Sequence, residues 1–422
     1  MTDTKTAVDK ERLYLFAPAA AILLLVTFQR AVPPERLQSA IRRAAARQAV
    51  LGSRVQQQPD GSAFFTPCNP PLLSVQLPGT EETPEALMRR EMQTPFAVER
   101  GEWMRHYCWQ PEGGRTVWLL SCHHMAGDGI AMLYFLRDVQ KALFNPSLCW
   151  QREPFYLCVP GELQGALPVP MRWGMAALNR QWKKTGHGFT PEDREKLLPA
   201  YWAKRNLSMA QKMVEPEQLT QWLAACRLHH TTLTAAWLAA VLLVTGEAMD
   251  AGIAVSIRPA GLESMANWAT GISIRCTPDH RAFWETARDI RRRMLRKSEN
   301  PAKRKFLLHF LHALSPTLID AAYFAAFDGF NNKAAGRLCR MFGYDGHPKS
   351  CSVTNLLRAP LADGAIETIA FYPPMVPNAK RLFGLVTAGD RLCATLQILG
   401  DEADAPQLLN AVITRMVQAC ES

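Results

Sequence analysis

The chain has 422 residues, 48% of them hydrophobic and 20% charged, which is ample to bury a core and argues against disorder. Its length suits two domains of roughly 150–200 residues each. Forty-eight Lys and Arg against 38 Asp and Glu give a formal charge of +10, which favours an acidic partner, but no zinc-finger spacing, RNP-like signature or long basic tail supports nucleic acid.

Eleven cysteines are scattered singly with no CxxC pair, the usage of reduced thiols in a cytoplasm and not of a disulfide framework. The apolar run Leu13 to Phe28 falls short of the ~20 residues a membrane span needs and is broken by Pro18. It reads as a buried strand over 20–28, with no membrane span.

Pro33 and Pro34 then open a helix over Glu35 to Arg47, with Leu37, Ile41 and Ala44 on one face. A hairpin over 53–66 turns at Pro59-Asp60-Gly61, and Thr83 caps a helix over 84–93. Strands at Trp103 to Gln110 and Thr116 to His124 are joined by the turn Pro111-Glu112-Gly113-Gly114. A helix follows over 130–144. From 145 to 205 four prolines loosen the pattern, and a short polar helix near 192–204 is the one element expected there.

The second half alternates again: a strand near 206–213, helices at 216–226 and 232–246, strands at 252–257 and 271–276, and a basic helix at 281–297. A helical, aromatic-rich stretch fills 304–342. Strands near 350–355, 366–371, 382–387 and 391–398 and a helix at 404–419 close the chain. Mixed helices and hairpins argue an α+β fold and not a doubly wound parallel sheet.

The chemistry concentrates in His123-His124-Met125-Ala126-Gly127-Asp128-Gly129. Side chains alternate along a strand, so the two histidines point apart and only one faces any given cavity. Gly127 and Gly129 allow a tight turn into the next helix. A neutral imidazole suits the removal of a proton from an attacking hydroxyl or amine at neutral pH. The competing readings are a core histidine and a metal site. Adjacent strand histidines make poor co-ligands, and no third His or Cys lies nearby at ligand spacing, so no metal is expected. Asp128 reads as a loop holder paired with a buried arginine.

These seven residues match the HHxxxDG motif, and the chain resembles that acyltransferase superfamily. The superfamily includes chloramphenicol acetyltransferase, condensation domains of nonribosomal peptide synthetases, alcohol acetyltransferases and polyketide-associated acyltransferases. Pro95-Phe96 with Met104-Arg105, Ser256-Ile257-Arg258-Pro259, Gly271-Ile272-Ser273, Ser352-Val353-Thr354-Asn355-Leu356 and Gly389-Asp390-Arg391-Leu392 are similar to further family segments. Two departures stand out. Gln48-Ala49-Val50-Leu51-Gly52 replaces the family's HPxLR, leaving Arg258 or Arg54 to partner Asp128, and the plant-type DFGWG is missing.

The resemblance implies two chloramphenicol acetyltransferase-like lobes forming a V with a central tunnel. They would span 1–180, with the motif, and 206–422, with a crossover at 181–205. It assigns the general base to His124, structural support to Asp128, motif roles to His123 and Gly129, and substrate contacts to Ser352, Thr354 and Asn355. An acyl group would pass from acyl-CoA or an acyl carrier protein to a small-molecule hydroxyl or amine, with no bound cofactor. Carrier-dependent condensation and a non-catalytic carrier-binding relative are the alternatives. The stretch Arg288 to Lys305, with nine Lys and Arg against Asp289 and Glu299, reads as a solvated helix face, as a dock for coenzyme A phosphates or an acidic carrier, or as a membrane-surface contact. Phe306, Phe310, Tyr323, Phe324, Phe327 and Phe330 read as core or as the wall of an acyl pocket.

Overall fold

The computed structural model describes residues 5–69, 73–79, 81–110, 114–158, 163, 165–279, 281–326, 329–344, 350–362, 364–375, 378–400 and 404–421. Most of the turn expected at 111–114 lies outside these residues, as does Phe327.

The first half contains β1 (Thr6–Ala7), α1 (Arg12–Leu15), β2 (Ala21–Phe28), α2 (Pro34–Arg47), β3 (Ser53–Gln57), β4 (Ala63–Pro67), β5 (Val75–Gln76), α3 (Pro84–Gln93), β6 (Met104–Trp109), β7 (Thr116–His123), α4 (Gly129–Phe144), α5 (Val169–Lys183) and α6 (Pro191–Ala203). The second contains β8 (Leu207–Val214), α7 (Pro216–Leu228), α8 (Leu233–Thr245), β9 (Met249–Ser256), β10 (Ala269–Cys276), α9 (Phe283–Ser298), α10 (Pro301–Arg304), α11 (Phe306–His312), α12 (Pro316–Ala326), α13 (Lys333–Phe342), β11 (Ser350–Arg358), β12 (Ile366–Tyr372), β13 (Ala379–Ala388), β14 (Arg391–Leu399) and α14 (Ala405–Glu421).

Burial explains the apolar runs. β2 reads AILLLVTF and is buried along nearly its whole length, because it lies inside a five-stranded sheet of order β12-β2-β7-β6-β5. α2 buries Leu37, Ala40, Ile41, Ala44 and Ala45, a stripe at helical spacing that packs on α4. α8 is buried from Ala235 to Leu242 on every side, with Thr232 capping its start and Gly246 in the left-handed conformation at its end. It packs against α9, α14 and the six-stranded sheet β10-β9-β11-β13-β14-β8. A small third sheet has the order β1-β4-β3.

Two differences from the sequence expectation matter. α5 forms where only loosened chain was expected. Pro168 stands just before it, without a side-chain cap, and Pro170 sits in its first turn, where a missing N–H costs nothing. The second difference is β12. It pairs antiparallel with β2, Ile369 opposite Val26, and so completes the sheet of the first half. Helices α11 to α13 also pack into the first half's core, through Leu308, Leu318, Phe324 and Leu338. The remaining strands of the second half enclose a separate core around Trp237 and Phe383. Gln397 Nε2 donates to the Pro373 carbonyl at 2.7 Å, tying the end of β12 to β14.

The amino-terminal segment is strapped across the second half. The fully buried Arg12 donates through Nε to both carboxylate oxygens of Asp320, at 2.8 and 3.0 Å. Tyr323 Oη donates to the Leu13 carbonyl at 2.6 Å. Among the described residues no single helix is long and apolar enough to cross a membrane. All eleven cysteines are unpaired.

Candidate active site

β7 carries its apolar side chains into the core and ends at His123, and α4 begins at Gly129. The five residues between make a corner, and His124, the first of them, parts from His123 as alternation requires. His123 is buried with its ring edge-on to Phe96 and Trp103, at centroid distances of 5.6 and 6.0 Å. Its Nδ1 accepts from the Met125 N–H at 3.3 Å.

His124 instead lines a cavity of about 280 Å³. Its Nδ1 stands 2.9 Å from the Gly127 carbonyl oxygen. A carbonyl only accepts, so Nδ1 carries the proton in the neutral ring and Nε2 keeps its lone pair, with no protein partner among the described residues. Burial pushes the imidazole down to about 4, against smaller opposing effects from the Gly127 carbonyl and Asp128. The ring is therefore neutral at pH 7. The Tyr14 ring lies over it with a centroid distance of 4.1 Å, and Asn267 lines the same cavity.

Asp128 caps α4, with Oδ1 accepting from the Ala131 N–H at 2.8 Å. The same oxygen takes Arg258 Nη2 at 3.0 Å, and Oδ2 takes the Trp268 N–H at 2.7 Å. Arg258 goes on to the carbonyls of Ser264 and Ala266, at 2.9 and 2.7 Å. Asp128 thus fastens the 258–268 loop of the second half to the histidine corner. Of the two arginines considered from sequence, Arg258 makes the pair, while Arg54 is exposed on β3 near Cys68.

The glycines serve a different purpose from the one the sequence suggested. Neither Gly127 nor Gly129 has a positive φ, so neither turn demands glycine for its backbone. Space demands it. A Cβ on Gly129 would lie 2.7 Å from Leu356 Cδ2 and 3.0 Å from Phe371 Cζ. One on Gly127 would lie 2.9 Å from the Ala131 Cβ. Leu356 and Phe371 come from β11 and β12, so Gly129 lets the second half close onto α4.

The other proposed contact residues divide. Ser352 and Thr354 line the His124 cavity. Asn355 lines a second cavity of about 350 Å³ on the Asp128 and Gly129 side, where its Nδ2 donates to Thr234 Oγ1 at 3.2 Å. Ile253, Ala254, Ala269, Ile272 and Thr354 border both cavities. The β9–β11 pairing ends at Ile253 and Val353, so the two strands part where the cavities meet.

The basic stretch is partly committed to structure. Arg293 donates to the Arg275 carbonyl at 3.0 Å, and Lys297 and Arg304 donate to the carbonyls of Ser273 and Ser256. Arg291 lines the second cavity. The aromatic stretch is core except at its start: Phe306 is exposed, Phe310, Tyr323 and Phe324 are buried, and Phe330 packs on Trp182 and Phe189. The walls of the His124 cavity come from Leu307, Leu308, Leu311, Phe342 and Tyr344 instead. Among the described residues no group of three His, Cys, Asp or Glu side chains is placed to hold a metal. Lys10, Tyr14 and Asn267 were not anticipated. α1 is a single turn, too short to show a period.

The whole chain superposes on known structures at low sequence identity. The first condensation domain of a calcium-dependent antibiotic (CDA) synthetase matches with a TM-score of 0.65 and 14% identity, over 100% of this chain and 97% of that one. A trichothecene 15-O-acetyltransferase from Fusarium sporotrichioides matches with 0.64 and 12%, over 98% and 95%. Polyketide synthase associated protein 5 from Mycobacterium tuberculosis matches with 0.61 and 16%, over 99% of each. The fold is the two-lobed, chloramphenicol acetyltransferase-like fold of these structures. No protein-family profile and no curated protein matches the sequence. Within this condensation-type fold, the His124 corner lies where β7 of the first lobe meets β9, β11 and the 258–268 loop of the second.

Proposed function

We propose that this chain is an acyltransferase, moving an acyl group from a thioester, acyl-CoA or acyl carrier protein, to a hydroxyl or amine, with His124 as general base. The observation that carries this reading is the His124–Gly127 contact, which leaves a neutral Nε2 lone pair at a cavity where two solvent-linked pockets adjoin. In the reaction Nε2 takes the proton of the acceptor as its oxygen or nitrogen attacks the thioester carbonyl. Collapse of the tetrahedral intermediate breaks the carbon–sulfur bond, and the imidazolium returns the proton to the departing thiolate. Such a base contributes about 10²–10⁴-fold. Asp128 supports the site by holding the corner, and the thioester arrives as co-substrate with no resident cofactor.

Carrier-dependent condensation, which takes no acyl-CoA donor, is the second reading. It is favoured by Arg291 in the wall of the second cavity, on a helix rich in Arg and Lys. Thiol release from a panel of acyl-CoA donors, with and without acyl carrier proteins, tests both. Release from acyl-CoA that depends on an acceptor supports the first. Release only from carrier-bound donors supports the second. No acceptor-dependent release from any donor overturns the enzyme reading.

A further inference from the structure

The cavity at His124 has walls mostly of leucine, isoleucine, phenylalanine and proline, with neutral polar groups such as Asn267, Ser352 and Thr354 and one charged side chain among its lining residues, Lys10. Lys10 is 3% exposed. Its ammonium donates to the Ala269 carbonyl at 3.3 Å. The nearest carboxylate is that of Glu11, 3.9 Å away and beyond hydrogen-bonding distance. A buried ammonium has three hydrogens to place, and a dry site penalises every one left unpaired. A backbone carbonyl satisfies one hydrogen and none of the charge.

Glu11 is a poor counter-ion. Both of its carboxylate oxygens are buried without a hydrogen-bond partner, and burial raises its pKa to about 7. It therefore holds a proton much of the time at neutral pH. Asp9, the other acid of this segment, pairs with His312 at 2.8 Å. The site around Lys10 is thus a cation in a largely apolar cavity without a full partner, in the same cavity as His124.

We infer that the substrate occupying the His124 cavity bears a carboxylate, and that Lys10 binds it. This rests on the acyltransferase reading for the word substrate, though not for the binding itself. One ammonium matches the single charge of a carboxylate. A phosphate monoester, at ≈ −1.5 to −2, would remain undercompensated by it. The carboxylate belongs to an acceptor of the hydroxy-acid or amino-acid class or to a dicarboxylic acyl donor. In both, Lys10 fixes the substrate by its anionic end while the reacting group meets His124.

The first test is binding, read by calorimetry on the full chain with octanoate, octanamide and octanol. The apolar wall accepts all three tails, so the comparison isolates the charge. Octanoate should bind at least about tenfold tighter than octanamide, the scale of a charge-assisted hydrogen bond in a buried site. Lys10→Met should abolish that preference and leave octanol binding intact, while Lys10→Arg should retain much of the preference. Should Lys10→Met unfold, Lys10→Gln, which keeps a donor for Ala269, takes its place. Equal binding of octanoate and octanamide by the wild type, or a preference that survives Lys10→Met, overturns the inference.

The second test is turnover, with two matched pairs: a hydroxy acid against its methyl ester as acceptor, and succinyl-CoA against butyryl-CoA as donor. A preference for the carboxylate in either pair that vanishes in Lys10→Met supports the inference and names the side. A loss of similar size on charged and neutral substrates would mean that Lys10 serves the reaction centre and would overturn it. Absence of turnover with every donor would count against the acyltransferase reading, and the octanoate comparison would still decide the role of Lys10.

Discussion

His124 Nδ1 and the Gly127 carbonyl oxygen stand 2.9 Å apart, joined by a turn of the same chain. The motif thereby sets its own tautomer through a backbone carbonyl, with no carboxylate bonded to the imidazole among the described residues. Removing the ring should remove the base, together with the Tyr14 ring contact and the partner of the Gly127 carbonyl. His124→Ala is expected to lower turnover of an alcohol acceptor by on the order of 10²-fold or more, with little change in acceptor binding. His123→Ala should instead lower stability by roughly 2–5 kcal/mol through lost packing on Phe96 and Trp103. Urea unfolding and steady-state kinetics on the two variants separate the roles. Near-normal turnover by His124→Ala would reject the mechanism.

The pH dependence follows from burial. His124 is pushed down to about 4, His106 to about 3, and His123 well below its ordinary value, each chiefly by desolvation. Turnover should stay level from pH 7.5 down to 5.5, where an ordinary histidine base would already have lost about tenfold. Stability moves differently. Between the unfolded value near 6.5 and these lower folded values the unfolded chain binds more protons, so acid destabilises the fold. Glu11, raised to about 7, acts in the opposite sense between its unfolded 4.5 and 7. Three histidines outweigh one glutamate, so the urea midpoint at pH 5 should lie below that at pH 7.5. A higher midpoint at pH 5 would contradict the burial of these rings.

Asp128 and Arg258 form a buried pair that joins the lobes. Asp128→Asn should cost about 3–5 kcal/mol, because it strands the arginine, and should lower activity through a displaced corner. Arg258→Met should cost a similar amount. The double variant should be less destabilised than the sum, with a coupling of roughly 0.5–3 kcal/mol. Strict additivity in urea denaturation would show that the pair is not coupled.

Gly129→Ala places a Cβ against Leu356 and Phe371. The expected cost is about 1–3 kcal/mol from overpacking and not from backbone strain, since φ there is not positive. Leu356→Ala removes the nearest clash, so the double variant should recover part of the loss relative to the sum of the single changes. Recovery is read as the melting temperature of the four proteins. No recovery would place the cost elsewhere.

Much of this was legible in the residues, and the failures have physical reasons. β2, β7, α4 and α8 carry long apolar or periodic runs, and the cap of α3 is written in Thr83. Alternation along β7 separated His123 from His124. The partner of β12 was not legible, because strand pairing across the chain leaves no local trace. α5 was hidden by Pro168 and Pro170, which break a helix interior and yet open a helix well. Tyr14 reaches the site from a one-turn helix and Lys10 from the turn before it, and their proximity to His124 is entirely tertiary. The space requirement at Gly129 likewise depends on Leu356 and Phe371, far along the chain.

The position of β12 also bears on how the chain is made. Until Ile369 has emerged from the ribosome, Val26 and its neighbours in β2 have an open edge, with buried-type side chains and unpaired amides. The first lobe therefore waits, incomplete, through most of synthesis, and its closure is a late, non-local and slow event. A chain cut before residue 366 would leave the ribosome with that edge exposed, as an aggregating fragment in place of a free-standing lobe. Separately expressed halves would meet the same fate unless mixed, when the missing strand could be supplied in trans.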